Sequence, residues 1–134
     1  MPYQNYPDGL YLIKRKSLEK SVDHYAIWIV GRRLNAFKVD GRFPVLFHQT
    51  NTGLRIDGFQ HTGTWEVVGK IVDEAGAVDR MMHVANYNPQ YELLSNNCEQ
   101  IARYVATGKH ESTQVQGVFI FAGLVAAAVL IARL

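Results

Sequence analysis

Residues 22 to 30 read Val-Asp-His-Tyr-Ala-Ile-Trp-Ile-Val and stop at Gly31. The run is rich in β-branched and aromatic side chains and is apolar on both of its alternating faces, so as a strand it must be covered from both sides. That makes it the centre of a sheet. The rest of the chain has to supply its neighbours and its cover.

Shorter β-type runs stand on either side. Asp8-Gly9 marks a turn before Leu10–Ile13, a short strand ending in the basic run Lys14-Arg15-Lys16. Downstream, strands are expected at Leu34–Val39, Val45–Gln49 and Thr64–Val72, separated by the turn signals Asp40-Gly41, Asn51-Thr52-Gly53 and Asp57-Gly58. From Asp73 to Tyr87 the period becomes helical, with Val78, Met81, Met82 and Ala85 as the apolar stripe and Pro89 beyond the end. Tyr91–Leu94 reads as a last brief strand, and Asn97–Thr107 as a second helix whose C-cap is Gly108. The fold class is therefore α+β, a small antiparallel or mixed sheet with packed helices.

Gly117 to Ala132 contributes sixteen residues without a charged or strongly polar side chain. No face of a helix built from them carries a polar stripe, which favours a membrane anchor over a core helix, although about 20 residues is the comfortable span. The chain thus divides into a domain at 1–114 and a C-terminal hydrophobic helix at 115–134. Gly123 and Ala127, four apart, would let another helix approach closely, a route to self-association. The amino end has no basic segment followed by an apolar stretch of the secretory kind, so the domain is expected on the cytoplasmic side.

With 14 basic and 12 acidic side chains the net charge is +2, and no long basic block is present, so nucleic-acid binding is not expected. No metal-ligand spacing, phosphate-cradling glycine loop or GxSxG elbow occurs, so neither metal nor cofactor is expected. The single cysteine, Cys98, has no disulfide partner. Asn97 before it is a good N-cap, and Gln100 can complete a capping box, which sets Cys98 at the first helical position. Unsatisfied N–H groups and the helix dipole there are expected to lower a thiol pKa from about 8.5 towards roughly 3.5 to 7.5.

A nucleophilic thiol needs an imidazole base, and that base an orienting partner. His24 opens the central strand, sharing a face with Ala26, Trp28 and Val30, and is expected to project to the sheet's inner side. His48 ends the run Val45-Leu46-Phe47 and is a candidate orienter. His61, His83 and His110 read as solvated or capping.

The order of these pieces, His24-Tyr25-Ala26-Ile27-Trp28-Ile29, then a strand ending in histidine, then Tyr91-Glu92-Leu93-Leu94-Ser95-Asn96-Asn97-Cys98-Glu99, resembles the lecithin:retinol acyltransferase-like family. The resemblance covers roughly residues 8 to 115 and is most specific at Asn97-Cys98-Glu99. It implies a circularly permuted relative of the papain-like NlpC-type fold, with Cys98 as the acylated nucleophile, His24 as base and then acid, and His48 as the orienting residue. The family also commonly carries a hydrophobic C-terminal anchor. Gln100-Ile101 stands where the family usually has a histidine and an aromatic residue, and His24 and His48 are further apart than is typical, requiring an excursion over Gly31 to Phe43. His61 is the substitute for His48.

The resemblance implies a membrane-associated acyltransferase or phospholipase acting on glycerophospholipid esters through an acyl-thioester. A cysteine peptidase or amidase on the same scaffold would use the same residues. A membrane-tethered binding module would keep the fold without the activity, and the wide histidine spacing is its main support.

Overall fold

The structure, a computed structural model, describes residues 6–16, 23–59, 65–87 and 97–109. Among the described residues five strands form one sheet: β1 (Gly9–Lys16), β2 (Asp23–Val30), β3 (Val45–Thr50), β4 (Gly53–Gly58) and β5 (Glu66–Lys70). Their order across the sheet is β4-β3-β2-β1-β5, and every pairing is antiparallel. The run that had to be central is central. Tyr25 to Ile29 are all buried because both faces of β2 are covered.

The covers differ. Tyr25, Ile27, Ile29 and Phe47 face two helices, α1 (Glu74–Tyr87) and α2 (Cys98–Thr107), and join Met81, Val84, Ile101 and Val105 in the larger core. The opposite face carries a second cluster of Tyr11, Ile13, Ala26, Trp28, Leu46 and Trp65. Period-two alternation along β2 sorts its residues between the two.

Four expectations need correction. The strand expected at Leu34–Val39 is a closed loop: Leu34 and Val39 exchange backbone hydrogen bonds of 2.9 and 3.1 Å around a 3₁₀ turn at Asn35–Phe37. Lys38, at φ 57°, turns the chain back, and Phe37 packs edge-on to Phe47. Second, the segment between the two presumed turns is itself a strand. Only Asn51-Thr52 forms the hairpin connection, with Thr50 Oγ1 donating to the Gly53 carbonyl at 2.7 Å, and β4 runs on through Asp57 to Gly58. Third, β1 continues through Lys14-Arg15-Lys16, whose partners Tyr25, His24 and Asp23 extend the ladder. Fourth, the buried stripe of α1 is Ala77, Met81 and Val84, and Met82 is exposed.

α1 starts where Asp73 accepts a hydrogen bond from the Gly76 amide at 3.0 Å. α2 ends at Gly108, whose φ of 81° is the left-handed C-cap conformation, its N–H donating to Tyr104. Arg80 of α1 donates to the Val105 carbonyl at 2.9 Å and locks the two helices together. Among the described residues no helix is long and apolar enough to cross a membrane. The expected strand at Tyr91–Leu94, the hydrophobic segment 115–134, His61 and His110 lie outside the described residues.

Candidate active site

The first turn of α2 is built as its sequence suggests. Asn97 Oδ1 accepts from the Gln100 amide at 2.8 Å, and Gln100 Oε1 accepts from the Asn97 amide at 3.4 Å, completing a capping box that is itself buried. Cys98 therefore occupies the first helical position. Glu99 is fully buried and takes a 2.7 Å hydrogen bond from Arg103 Nε, one turn on. The Arg103 guanidinium in turn lies 5.3 Å from the centre of the Tyr25 ring, so the helix tip is clamped to β2.

The thiol meets the strand on either side of His24. Cys98 Sγ donates to the Asp23 carbonyl across 3.7 Å, and the Tyr25 amide hydrogen-bonds to the sulfur. This contact is possible because the ladder between β2 and β3 runs from Ile29↔Val45 only to Ile27↔Phe47, so the early part of β2 turns its backbone to α2. Burial pushes the Cys98 thiol pKa up. The amides of Tyr25 and Glu99 pull the other way and the Glu99 carboxylate adds to the rise, with desolvation the largest effect. The low thiol pKa expected from the helix terminus is thus corrected to a raised one, because burial of the thiol outweighs the amides that would stabilise a thiolate.

A line of polar side chains crosses the opposite face of the sheet. His24 Nε2 lies 2.8 Å from His48 Nδ1, and His48 Nε2 lies 2.8 Å from Asp57 Oδ2. Extending the β2–β3 register sets His48 opposite Ala26, which makes His24 its diagonal neighbour. His48 pairs with Arg55, so Asp57 is diagonal as well. Diagonal positions lie about 7–8 Å apart, a gap two imidazoles and a carboxylate can bridge. Arg55 closes the line with two 3.1 Å hydrogen bonds to the Asp57 carboxylate.

The charges in this line are settled by its ends. The Arg55 guanidinium, with help from His48, holds the Asp57 carboxyl below its ordinary pKa, so it is an anion near neutrality. Burial lowers the His48 pKa against the opposing pull of Asp57, and the charges of Arg15 and Arg55 lower it further, which keeps its ring neutral. A neutral His48 must donate from Nε2 to the anion, leaving Nδ1 as acceptor for the Nε2–H of His24. The network assigns Nδ1 of His24 as its basic nitrogen.

Of the sequence candidates, His24 and His48 are joined directly, and Cys98 lies against the backbone flanking His24. His24 does share the side of Ala26 and Trp28, but this is the face away from α1 and α2. Thiol and imidazole come from opposite layers of the sheet, and the thiol meets β2 through the backbone of Asp23 and Tyr25. His83 packs on the Tyr87 ring, with centroids 4.5 Å apart, away from this line. Asp57 was missed by sequence reading, although Leu54-Arg55-Ile56-Asp57 alternates as a strand should. Compared with known proteins, the chain matches no protein-family model and no curated protein.

Proposed function

We propose that the protein is a thiol-dependent acyltransferase or phospholipase acting on glycerophospholipid acyl esters, on a permuted papain-like scaffold of the lecithin:retinol acyltransferase-like kind. The observation that carries this reading is the hydrogen-bonded line Asp57–His48–His24 arriving at the strand segment against which the Cys98 thiol is packed. A nucleophile, a base of defined tautomer and an anion that orients it are the parts of nucleophilic acyl transfer.

The protonated resting thiol makes the first step a general-base reaction. Nδ1 of His24 takes the thiol proton as the sulfur forms a bond to the ester carbonyl carbon. Amides at the first turn of α2, including that of Cys98, face the developing oxyanion. Collapse breaks the bond to the ester oxygen, and His24 returns its proton to the departing lysolipid. An alcohol, amine or water then attacks the thioester, giving up its proton to His24 and regenerating the thiol. The imidazolium formed in transit is stabilised through His48 by the Asp57 carboxylate. The hydrophobic segment within 115–134 would hold the domain on the cytoplasmic face of a membrane, where ester groups are concentrated.

A buried, protonated thiol also suits the alternative of a tethered binding module. Intact-mass spectrometry after incubation with phosphatidylcholine vesicles separates the two. A mass increment of one acyl group on wild-type protein, absent from Cys98→Ala, is expected; an unmodified wild-type chain, or equal lipid turnover by Cys98→Ala, sinks the acyltransferase reading.

A further inference from the structure

We infer that the cavity at the far end of β2 from His24 binds a quaternary ammonium group of the choline type. Its volume is about 620 Å³, within the roughly 300–1,000 Å³ of small-molecule sites, and it lies where β2 ends at Val30 and Gly31. Three aromatic side chains line it, Tyr6, Phe43 and Phe59, together with Asp8. Two of these rings are held from behind. Tyr6 and Phe59 pack on Trp28 with centroids 5.5 and 5.2 Å apart, and the Phe59 amide donates to the Pro44 carbonyl at 3.0 Å, which brings the end of β4 beside Phe43. Phe43 is 76% exposed, a large aromatic ring left at the mouth of a cavity.

Charge decides what such a cavity takes. Asp8 stands one step beyond the Gly9↔Val30 pair, and its carboxylate fills the space that a side chain at position 31 would need. Gly31, at φ 62°, leaves that space open. The nearby cations have carboxylates of their own. Arg42, which also lines the cavity, is bonded to Asp40 through Nε at 3.0 Å, and Arg32 is bonded to Glu74 at 3.2 and 3.3 Å and meets Asp8 at its carbonyl, 3.4 Å away. Among the described residues the Asp8 carboxylate is in no ion pair. An anion among aromatic rings suits a soft organic cation, and a trimethylammonium group has no N–H to satisfy and spreads its charge over methyl groups that contact the rings. His24 and Val30 are six residues apart on one strand, about 20 Å at roughly 3.3 Å per residue, farther than the head group of a glycerophospholipid extends from its own ester. The cavity is therefore a second site, and the inference stands independently of the acyl-transfer reading.

The test titrates choline chloride into the full-length protein in maltoside micelles and follows by NMR the amide resonances of Gly31 and Gly41, both of which line the cavity. Choline should shift them saturably, and dimethylbutanol, its neutral carbon isostere, should bind at least roughly fivefold more weakly because it lacks the charge. Asp8→Asn should weaken choline about three- to tenfold and leave the neutral isostere unchanged. Phe43→Leu, at an exposed ring, should weaken choline by a similar factor. Phosphocholine in solution, and phosphatidylcholine against phosphatidylglycerol doped into the micelles, separate the two sources of the group: a response to phosphocholine assigns a soluble ligand, and one confined to phosphatidylcholine assigns a lipid head group. Equal binding of choline and dimethylbutanol would reduce the cavity to an apolar cleft and overturn the inference. Choline shifts that survive both substitutions, or no shift with any of these probes, would overturn it as well.

Discussion

His24 Nε2 and His48 Nδ1 stand 2.8 Å apart across the open end of β2 and β3, and that single hydrogen bond links Asp57, through His48, to the residue whose two chain neighbours hold the thiol. The tautomer of His24 is therefore decided two residues away, on β4. In the proposed reaction Asp57 and His48 would act through His24, as positioning residues.

Replacing Asp57 with asparagine tests this directly. The amide can donate to His48 Nε2, which would place the proton on His48 Nδ1 and reverse the direction of both hydrogen bonds, leaving His24 protonated at Nδ1. Acylation of Cys98 should slow by as much as about 10⁴-fold, the cost of a wrong tautomer in a comparable triad. Nitrogen-15 NMR of the imidazoles should show the exchange of N–H positions in both rings. Unchanged rates with unchanged tautomers would detach Asp57 from the chemistry.

Cys98 provides a second test through its pH dependence. Because burial raises its folded pKa, the neutral thiol is favoured in the fold. The associated stability is complete below the unfolded thiol pKa of about 8.5 and is lost as pH rises through the folded value. Iodoacetamide should label Cys98 slowly at neutral pH, with a midpoint above that of a free thiol. The melting temperature should also fall more steeply at alkaline pH in wild type than in Cys98→Ser, which does not titrate there. Fast labelling at pH 6 would instead indicate a standing thiolate–imidazolium pair.

These two residues mark how far the sequence could be read. The centre of the sheet was legible because β2 is apolar on both faces, and the start of α2 because a capping box is a local device of Asn97 and Gln100. Asp57 was hidden by its neighbour: Asp-Gly is a turn signal, and only the pairing of β4 with β3 makes it a strand residue. Leu34–Val39 failed for the converse reason, since β-type composition does not reveal that Lys38 takes a left-handed turn. The dipole at the helix terminus can be inferred from the chain, whereas the desolvation that outweighs it depends on what packs around the sulfur.

His48 should give acid sensitivity. Its pKa is depressed in the fold, mainly by burial, so its contribution to stability is present above the unfolded imidazole value of about 6.5 and is lost as pH falls through the folded value. Urea unfolding at pH 7.5 and at successively lower pH should show wild type losing stability faster than His48→Gln, which has no proton to gain. Parallel losses in the two proteins would place the acid-sensitive group elsewhere.

The clamp behind the thiol makes the last prediction. Glu99 is fully enclosed and Arg103 lies within 2.7 Å of it, so removing the cation strands a buried carboxylate. Arg103→Leu should cost about 3–5 kcal/mol in urea unfolding, the range for breaking one side of a buried pair. Glu99→Gln in the same chain removes the stranded charge and should return a substantial part of that loss, giving a large coupling between the two positions. Lowering the pH should also rescue Arg103→Leu alone, since protonation neutralises Glu99. Because Glu99 follows Cys98 directly, the double variant separates two roles: if stability returns and acylation does not, the ion pair is needed to hold the thiol against Asp23 and Tyr25.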